Sequence, residues 1–320
     1  MRFIGYLQEY SREHLHLRNI ILVVILNTLL IFINFYFDFE NNVVDRFYGQ
    51  PVYTLWYFLL QLIPYLVCLW LILPYNERHR LKNNYLWIKI FSGFFILSLD
   101  RSFYGEPYLL EGLSPEVYRY MLRLLKPLSG TIIVFGLLFI WYVLLDRRRG
   151  MDQFYGLKIN NKDKVAYLYL LLLMIPLVAA ASFLPDFIAY YPKYKKTGGA
   201  LFASIMNWPE VMAVILYEAS YLSSFLTVEL FFRGFLIIGL APQLGKYVVL
   251  PAATTYAVLH FGKPLGECVS SLAGGYILGV IALYSRSIWG GILVHMGIAA
   301  LMEWFAYLQL VWRGELPPIQ

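Results

Sequence analysis

Charge is what this chain has least of. Only 14% of its 320 residues are Asp, Glu, Lys or Arg, against roughly 25% in an ordinary soluble domain. With 60% of the residues hydrophobic, 26 basic and 20 acidic side chains cannot furnish the polar surface a soluble protein of this length needs. A soluble fold is therefore excluded, and the bilayer becomes the solvent. Cysteine is nearly absent: Cys68 and Cys268 stand far apart, in or beside apolar runs, which excludes a disulfide framework and a thiolate metal site. No segment alternates apolar and polar residues as a membrane barrel strand does, and there is no internal repeat or low-complexity tract. Histidine is scarce too, at five residues, three of which (His14, His16, His79) lie in polar termini or loops.

What is present is apolar length. A run from Asn19 to Phe37 is followed by others at about 54–73, 86–99, 128–145, 165–184, 211–240, 247–260, 270–284 and 288–311. A helix needs about 20 residues to cross the hydrocarbon core. The pattern predicts an all-α, polytopic helical membrane bundle with eight or nine membrane helices. The runs at 86–99 and 247–260 are short, as suits helices covered by their neighbours. The first run is too long for a signal-peptide core, and Asp38-Phe39-Glu40-Asn41-Asn42 after it offers no small-residue cleavage site, so it is expected to be retained as a span. Aromatic residues at 18%, with 27 Tyr and 8 Trp, suit the two membrane interfaces.

The net charge of +6 comes from short basic clusters between apolar runs, which reads as an orientation signal and not as a nucleic-acid surface. Arg78, Arg80 and Lys82 mark one loop, and Arg147, Arg148, Arg149, Lys158, Lys162 and Lys164 another, while 38–53 has one Arg among three acids. These place the N-terminus in the cytoplasm; Lys193, Lys195 and Lys196 run against the pattern. Gly198-Gly199 is the clearest boundary, dividing N-terminal membrane helices of unassigned role (1–197) from a C-terminal part (198–320).

That C-terminal part gathers ionisable residues inside apolar runs: Glu218, Glu229, Arg233, His260, His295 and Glu303. Each such group costs about 2.5–3.5 kcal/mol at a helix centre on insertion scales. Glu229 and Arg233 stand four apart, on one helical face, where a structural ion pair would account for both. His260 and His295 are the two imidazoles at depth, able to bind a metal, take a proton or donate to an oxyanion.

Three ordered segments carry a family likeness. Val228-Glu229-Leu230-Phe231-Phe232-Arg233-Gly234, then Tyr256-Ala257-Val258-Leu259-His260, then Ser287-Ile288-Trp289-Gly290-Gly291-Ile292-Leu293-Val294-His295 resemble the motifs of the CPBP intramembrane protease family. That family groups type II CAAX prenyl endopeptidases with bacterial abortive-infection and bacteriocin-processing relatives. The likeness spans roughly 200–310. It implies an intramembrane endopeptidase in a bacterial cytoplasmic membrane, with His260 and His295 in the active site and Arg233 holding the glutamate region in place. Two positions depart from the family pattern: Val228 stands where the first glutamate is usual, and Ala299 where Asn or Asp is usual. Tyr256 replaces Phe conservatively.

Three carboxylates are candidates for activating water with His260: Glu229 itself, Glu267 seven residues after His260 beyond Gly262 and Pro264, and Glu303 two helical turns after His295. Glu218, about three turns before Glu229, faces the same way as a supporting group. His295 would hold the oxyanion. Glu229, His260 and His295 also match the ligand count of a catalytic zinc with water in the fourth position, although no His-Glu-x-x-His occurs, and a metal-free Glu/His mechanism stands equally open. Two functions follow: hydrolysis of a peptide bond in a membrane-associated or lipidated protein or peptide, or a catalytically inactive scaffold that binds a peptide or partner protein. A transporter fits less well, since no paired broken helices occur in two similar halves.

Overall fold

The computed structural model describes residues 2–158, 164–316 and 319; Lys162, one of the basic loop residues, lies outside them. Its long helices, named in chain order, are α1 (Arg2–His14), α2 (Leu17–Phe37), α3 (Val52–Ile72), α4 (Asn84–Ser102), α5 (Pro115–Trp141), α6 (Lys164–Ala181), α7 (Glu210–Glu229), α8 (Val249–Val258), α9 (Leu265–Ser285) and α10 (Trp289–Trp312). Between α7 and α8 the chain continues through a π-type segment, Leu230–Gly239, every residue of which is buried. The protein is an all-α integral membrane protein. Among the described residues six stretches are long and apolar enough to cross a bilayer: Leu17–Phe37, Val52–Ile72, Pro115–Arg149, Glu210–Val258, Leu265–Ser285 and Trp289–Trp312. Tyr167–Ala181 is apolar but shorter.

The chain forms two compact units, discontinuous in sequence. Unit 1 comprises Met1–Ser102, Ile133–Ala166 and Val228–Gly291, and unit 2 comprises Phe103–Ile132, Tyr167–Thr227 and Ile292–Gln320.

In unit 1, α8 is the centre. All ten of its residues are buried, and it packs chiefly on α9 and α3. The approach of α9 depends on two glycines a turn apart: a Cβ at Gly275 would lie 3.1 Å from Ala253 Cα, and one at Gly279 would lie 2.9 Å from Ile237. Small residues at this spacing let membrane helices meet closely where lipid gives no hydrophobic drive to association. Behind α8, α2 is turned inside out. Three of its four buried residues are asparagines, Asn19, Asn27 and Asn34, while its Leu, Ile and Phe side chains are largely exposed, as a lipid-facing helix requires. The C-terminal end of the π-type segment is pinned by Lys89, which donates to the Gly239 carbonyl at 2.7 Å and pairs with Asp146 at 2.7 Å. Tyr85 and Tyr155 both donate to that same carboxylate, so this buried ion pair has its remaining lone pairs satisfied.

Unit 2 is built on two apolar clusters. One joins Tyr120, Phe202, Ala203, Ala213 and Tyr217, with the Tyr120 and Phe202 rings stacked at 4.3 Å. The other joins Val178, Phe187, Ile188, Tyr191, Met302, Ala306 and Leu310, so α6 and α10 are held together through the short helix Pro185–Tyr190.

Candidate active site

The motif residues Glu229 and Arg233 sit one turn apart where α7 passes into the π-type segment. Their i,i+4 spacing gives the ion pair foreseen from the sequence, with Arg233 Nη1 2.9 Å from Glu229 Oε1 and both side chains within 2% of full burial. The guanidinium lies 4.2 Å from the Tyr256 ring centroid, a cation–π contact that helps offset its desolvation. Two glycines of the motifs serve this pair. A Cβ at Gly291 would overlap Glu229 Oε2, so the glycine leaves space for the carboxylate. A Cβ at Gly234 would lie 2.8 Å from the Tyr155 carbonyl oxygen, so the residue after Arg233 must also be small. The Ser-Ile-Trp lead-in is anchored as well: the Ile288 N–H donates to the Gly156 carbonyl at 3.0 Å and Trp289 Nε1 to the Leu157 carbonyl at 2.6 Å.

From Tyr256 the polar line continues to His260, whose ring meets the tyrosine ring edge-on at 4.6 Å. His260 Nδ1 is 2.8 Å from the Tyr256 carbonyl oxygen. A carbonyl can only accept, so Nδ1 carries the proton and, in the neutral ring, Nε2 carries the lone pair. Glu267 Oε1 stands 3.8 Å from that Nε2 and is also bound by Lys263 Nζ at 2.6 Å. The turn between them is tight, with the Lys263 N–H donating to the His260 carbonyl at 3.1 Å, and Pro264 starts α9 so that Glu267 falls in its first turn. An imidazole with a lone pair at Nε2 and a carboxylate facing it is suited to accept a proton and to stabilise the resulting imidazolium.

The N-terminal helices contribute groups that sequence reasoning passed over. Asn27 Nδ2 reaches Thr254 Oγ1 at 3.1 Å, and Asn34 Nδ2 reaches the Phe261 carbonyl, next to His260, at 3.4 Å. Asn34 Oδ1 in turn accepts from the Glu40 N–H at 2.9 Å. On α3 the buried face carries Tyr53, Tyr57, Gln61 and Tyr65, each four residues from the next. Burial against this face pushes the Glu40 carboxyl up from its ordinary 4.5 to about 7, helped by Asp45 and Asp38 and opposed by Arg101. The signal was available: three asparagines inside a 21-residue apolar helix mark the face that avoids lipid.

The remaining candidates lie in unit 2. Glu303 accepts the Lys193 N–H with both carboxylate oxygens at 2.8 Å, and Glu218 is a near neighbour of its carboxyl. The His295 ring packs on Phe225 at 4.4 Å. Thus His260 is brought together with Glu267, Glu229 with Arg233, and Glu303 with Glu218 and the backbone at Lys193. Among the described residues no group of three or more His, Cys, Asp and Glu side chains is arranged to hold a metal ion. The zinc expected on Glu229, His260 and His295 finds no fitting donor set, because Glu229 is engaged by Arg233 and His260 Nδ1 by a carbonyl.

Taken together, these features define an integral membrane protein whose buried ion pair and histidine–carboxylate pair lie on the helices of one helical core. Residues 210–301 match the family model described as Rce1-like, type II CAAX prenyl endopeptidase Rce1-like. The match takes in Glu218, Glu229, Arg233, His260, Glu267 and His295 and stops two residues short of Glu303. No curated protein and no solved structure gives a match.

Proposed function

We propose that this protein is an intramembrane endopeptidase that hydrolyses a peptide bond in a membrane-associated protein or peptide. In this reading His260 Nε2 takes a proton from water and Glu267 stabilises the imidazolium. Glu229 is held by Arg233 and keeps the helices in register. The observation that carries the reading is the tautomer of His260: its Nδ1 is committed to the Tyr256 carbonyl while Nε2 faces Glu267 at 3.8 Å. No step is routed through a metal.

The name of the matched family designates CAAX prenyl endopeptidases, which makes prenylated C-terminal peptides the first substrates to try. The protein would lie in a bacterial cytoplasmic membrane with its N-terminus in the cytoplasm, in contact with membrane lipid, and 198–320 would carry the catalytic residues. Nine crossings result if α4 and Tyr167–Ala181 also span and Glu210–Val258, at 49 residues, crosses twice, and eight if one of these does not.

The test is purified protein incubated, with and without chelator, with a library of membrane-anchored and prenylated peptides, beside His260→Ala and Glu267→Gln. Cleavage by the wild type that both substitutions abolish or cut sharply is the expected result. Cleavage indifferent to both would sink the mechanism. Binding of peptides without any cleavage would favour the inactive scaffold, a reading that Val228 supports by leaving the one remaining motif glutamate tied to Arg233.

A further inference from the structure

Glu40 lies far outside the family segment, in the short helical turn after α2, yet its carboxylate abuts the turn that carries His260. A Cβ at Gly262 would sit 3.3 Å from Glu40 Oε2, so the carboxylate lies beside the glycine two residues after His260. One side chain fixes both partners: Asn34 accepts the Glu40 N–H at 2.9 Å and donates to the Phe261 carbonyl at 3.4 Å. Because the Lys263 N–H closes on the His260 carbonyl at 3.1 Å, Gly262 belongs to the same tight turn as the histidine.

The carboxylates around this turn differ in what they hold. Glu267 is bound to Lys263 and Glu229 to Arg233, so each has a cation in contact. Glu40 is only 7% exposed, and among the described residues its carboxylate has neither a hydrogen bond nor an ion pair. Hydrolysis of an amide needs a base to activate water and an acid to protonate the departing nitrogen, and two carboxyls in contrasting environments are how such roles are divided.

We propose that Glu40 is the general acid of this site, donating its proton to the nitrogen of the scissile amide. The inference rests on the hydrolytic reading above. His260 Nε2 takes a proton from water, and the oxygen bonds to the carbonyl carbon. As the tetrahedral intermediate collapses, the C–N bond breaks with its electron pair on nitrogen, and nitrogen takes the proton from Glu40. The proton on His260 then restores Glu40, so acid and amine are the net products. The elevated proton affinity of Glu40 keeps a protonated fraction near neutral pH. The charged and titratable groups that face it are Asp38 and Asp45 from its own segment, Arg101 from α4, Tyr57 from α3 and Cys268 from α9.

The test uses a membrane-anchored peptide that the wild type cleaves and its depsipeptide counterpart, with an ester at the scissile position. An alkoxide leaves with far less need of a proton than an amine does. Glu40→Gln is expected to slow amide cleavage about 100-fold or more while the ester is cleaved near the wild-type rate; His260→Ala loses both. The wild-type amide rate should also fall on the alkaline side of about pH 7, and the ester rate should not. Equal slowing of amide and ester in Glu40→Gln would make the residue structural and overturn the proposal. An unaffected amide rate would overturn it too, leaving the His260–Glu267 reading in place. A wild type that cleaves no peptide removes the hydrolytic reading itself, and this proposal with it.

Discussion

Glu229 and Glu303 are both carboxylates almost wholly buried on apolar helices, and the two units neutralise them differently. In unit 1, Glu229 has a guanidinium one turn away on its own chain, itself backed by the Tyr256 ring. In unit 2, Glu303 has the backbone N–H of Lys193 and the carboxyl of Glu218. The first arrangement is local and survives as long as the turn is helical. The second depends on the segment around the short helix Pro185–Tyr190 folding back onto α10. A buried pair of opposite charges is costly to break from one side, whereas a carboxylate held by an amide N–H can be replaced by another acceptor.

This contrast can be broken experimentally. The largest effect is expected for Arg233→Met, which strands Glu229 without its partner and should destabilise the protein by about 3–5 kcal/mol. The double variant Glu229→Gln/Arg233→Met should recover most of that loss in detergent unfolding measurements; a double variant no more stable than the single would show that the pair is not the unit of stability. Glu303→Ala comes next, leaving the Lys193 N–H without its acceptor at a cost of about 1–3 kcal/mol. Glu303→Gln keeps an acceptor and should cost less than about 1 kcal/mol, so equal losses for Ala and Gln would mean that charge, not hydrogen bonding, holds this corner.

A further effect is one of pH. Folding raises the Glu40 carboxyl from 4.5 to about 7, so the folded state binds this proton more tightly than the unfolded one. Its contribution to stability is therefore full below about pH 4.5, declines as pH rises toward 7, and is level above. Thermal unfolding of Glu40→Gln across that window should show a flatter pH dependence than the wild type, and an unchanged slope would assign the dependence to other groups.

Membrane residence, the helical class and the pairing of Glu229 with Arg233 were legible in the sequence, because each depends on composition or on spacing within one helix. Glu267 was legible for a similar reason: Gly262 and Pro264 end one helix and start the next, which returns a residue seven positions on toward His260. Glu303 was harder. Its distance from His295 along α10 suggested a place in the catalytic set, but its oxygens are taken by the Lys193 backbone, a contact made by chain folding that no spacing encodes. The same holds for Glu40 and Asn34, which reach the turn after His260 only once α2 packs on α8. The asparagines of α2 were visible as polar breaks in an apolar run, and their spacing marks the buried face, yet what that face covers is a property of the assembled helices. Six spans are long and apolar enough to cross a bilayer among the described residues, while a short apolar run such as α8 is wholly buried, so hydropathy alone does not separate a crossing from a covered helix.

The most direct test of the account is a comparison of cleavage rates on one membrane-anchored peptide by the wild type, His260→Ala, Glu267→Gln and Glu303→Gln, each verified as folded. The account predicts that cleavage is abolished by the first substitution, cut by the second by about 100-fold or more, and retained by the third. Cleavage that survives His260→Ala, or that depends on Glu303 as strongly as on Glu267, would contradict it.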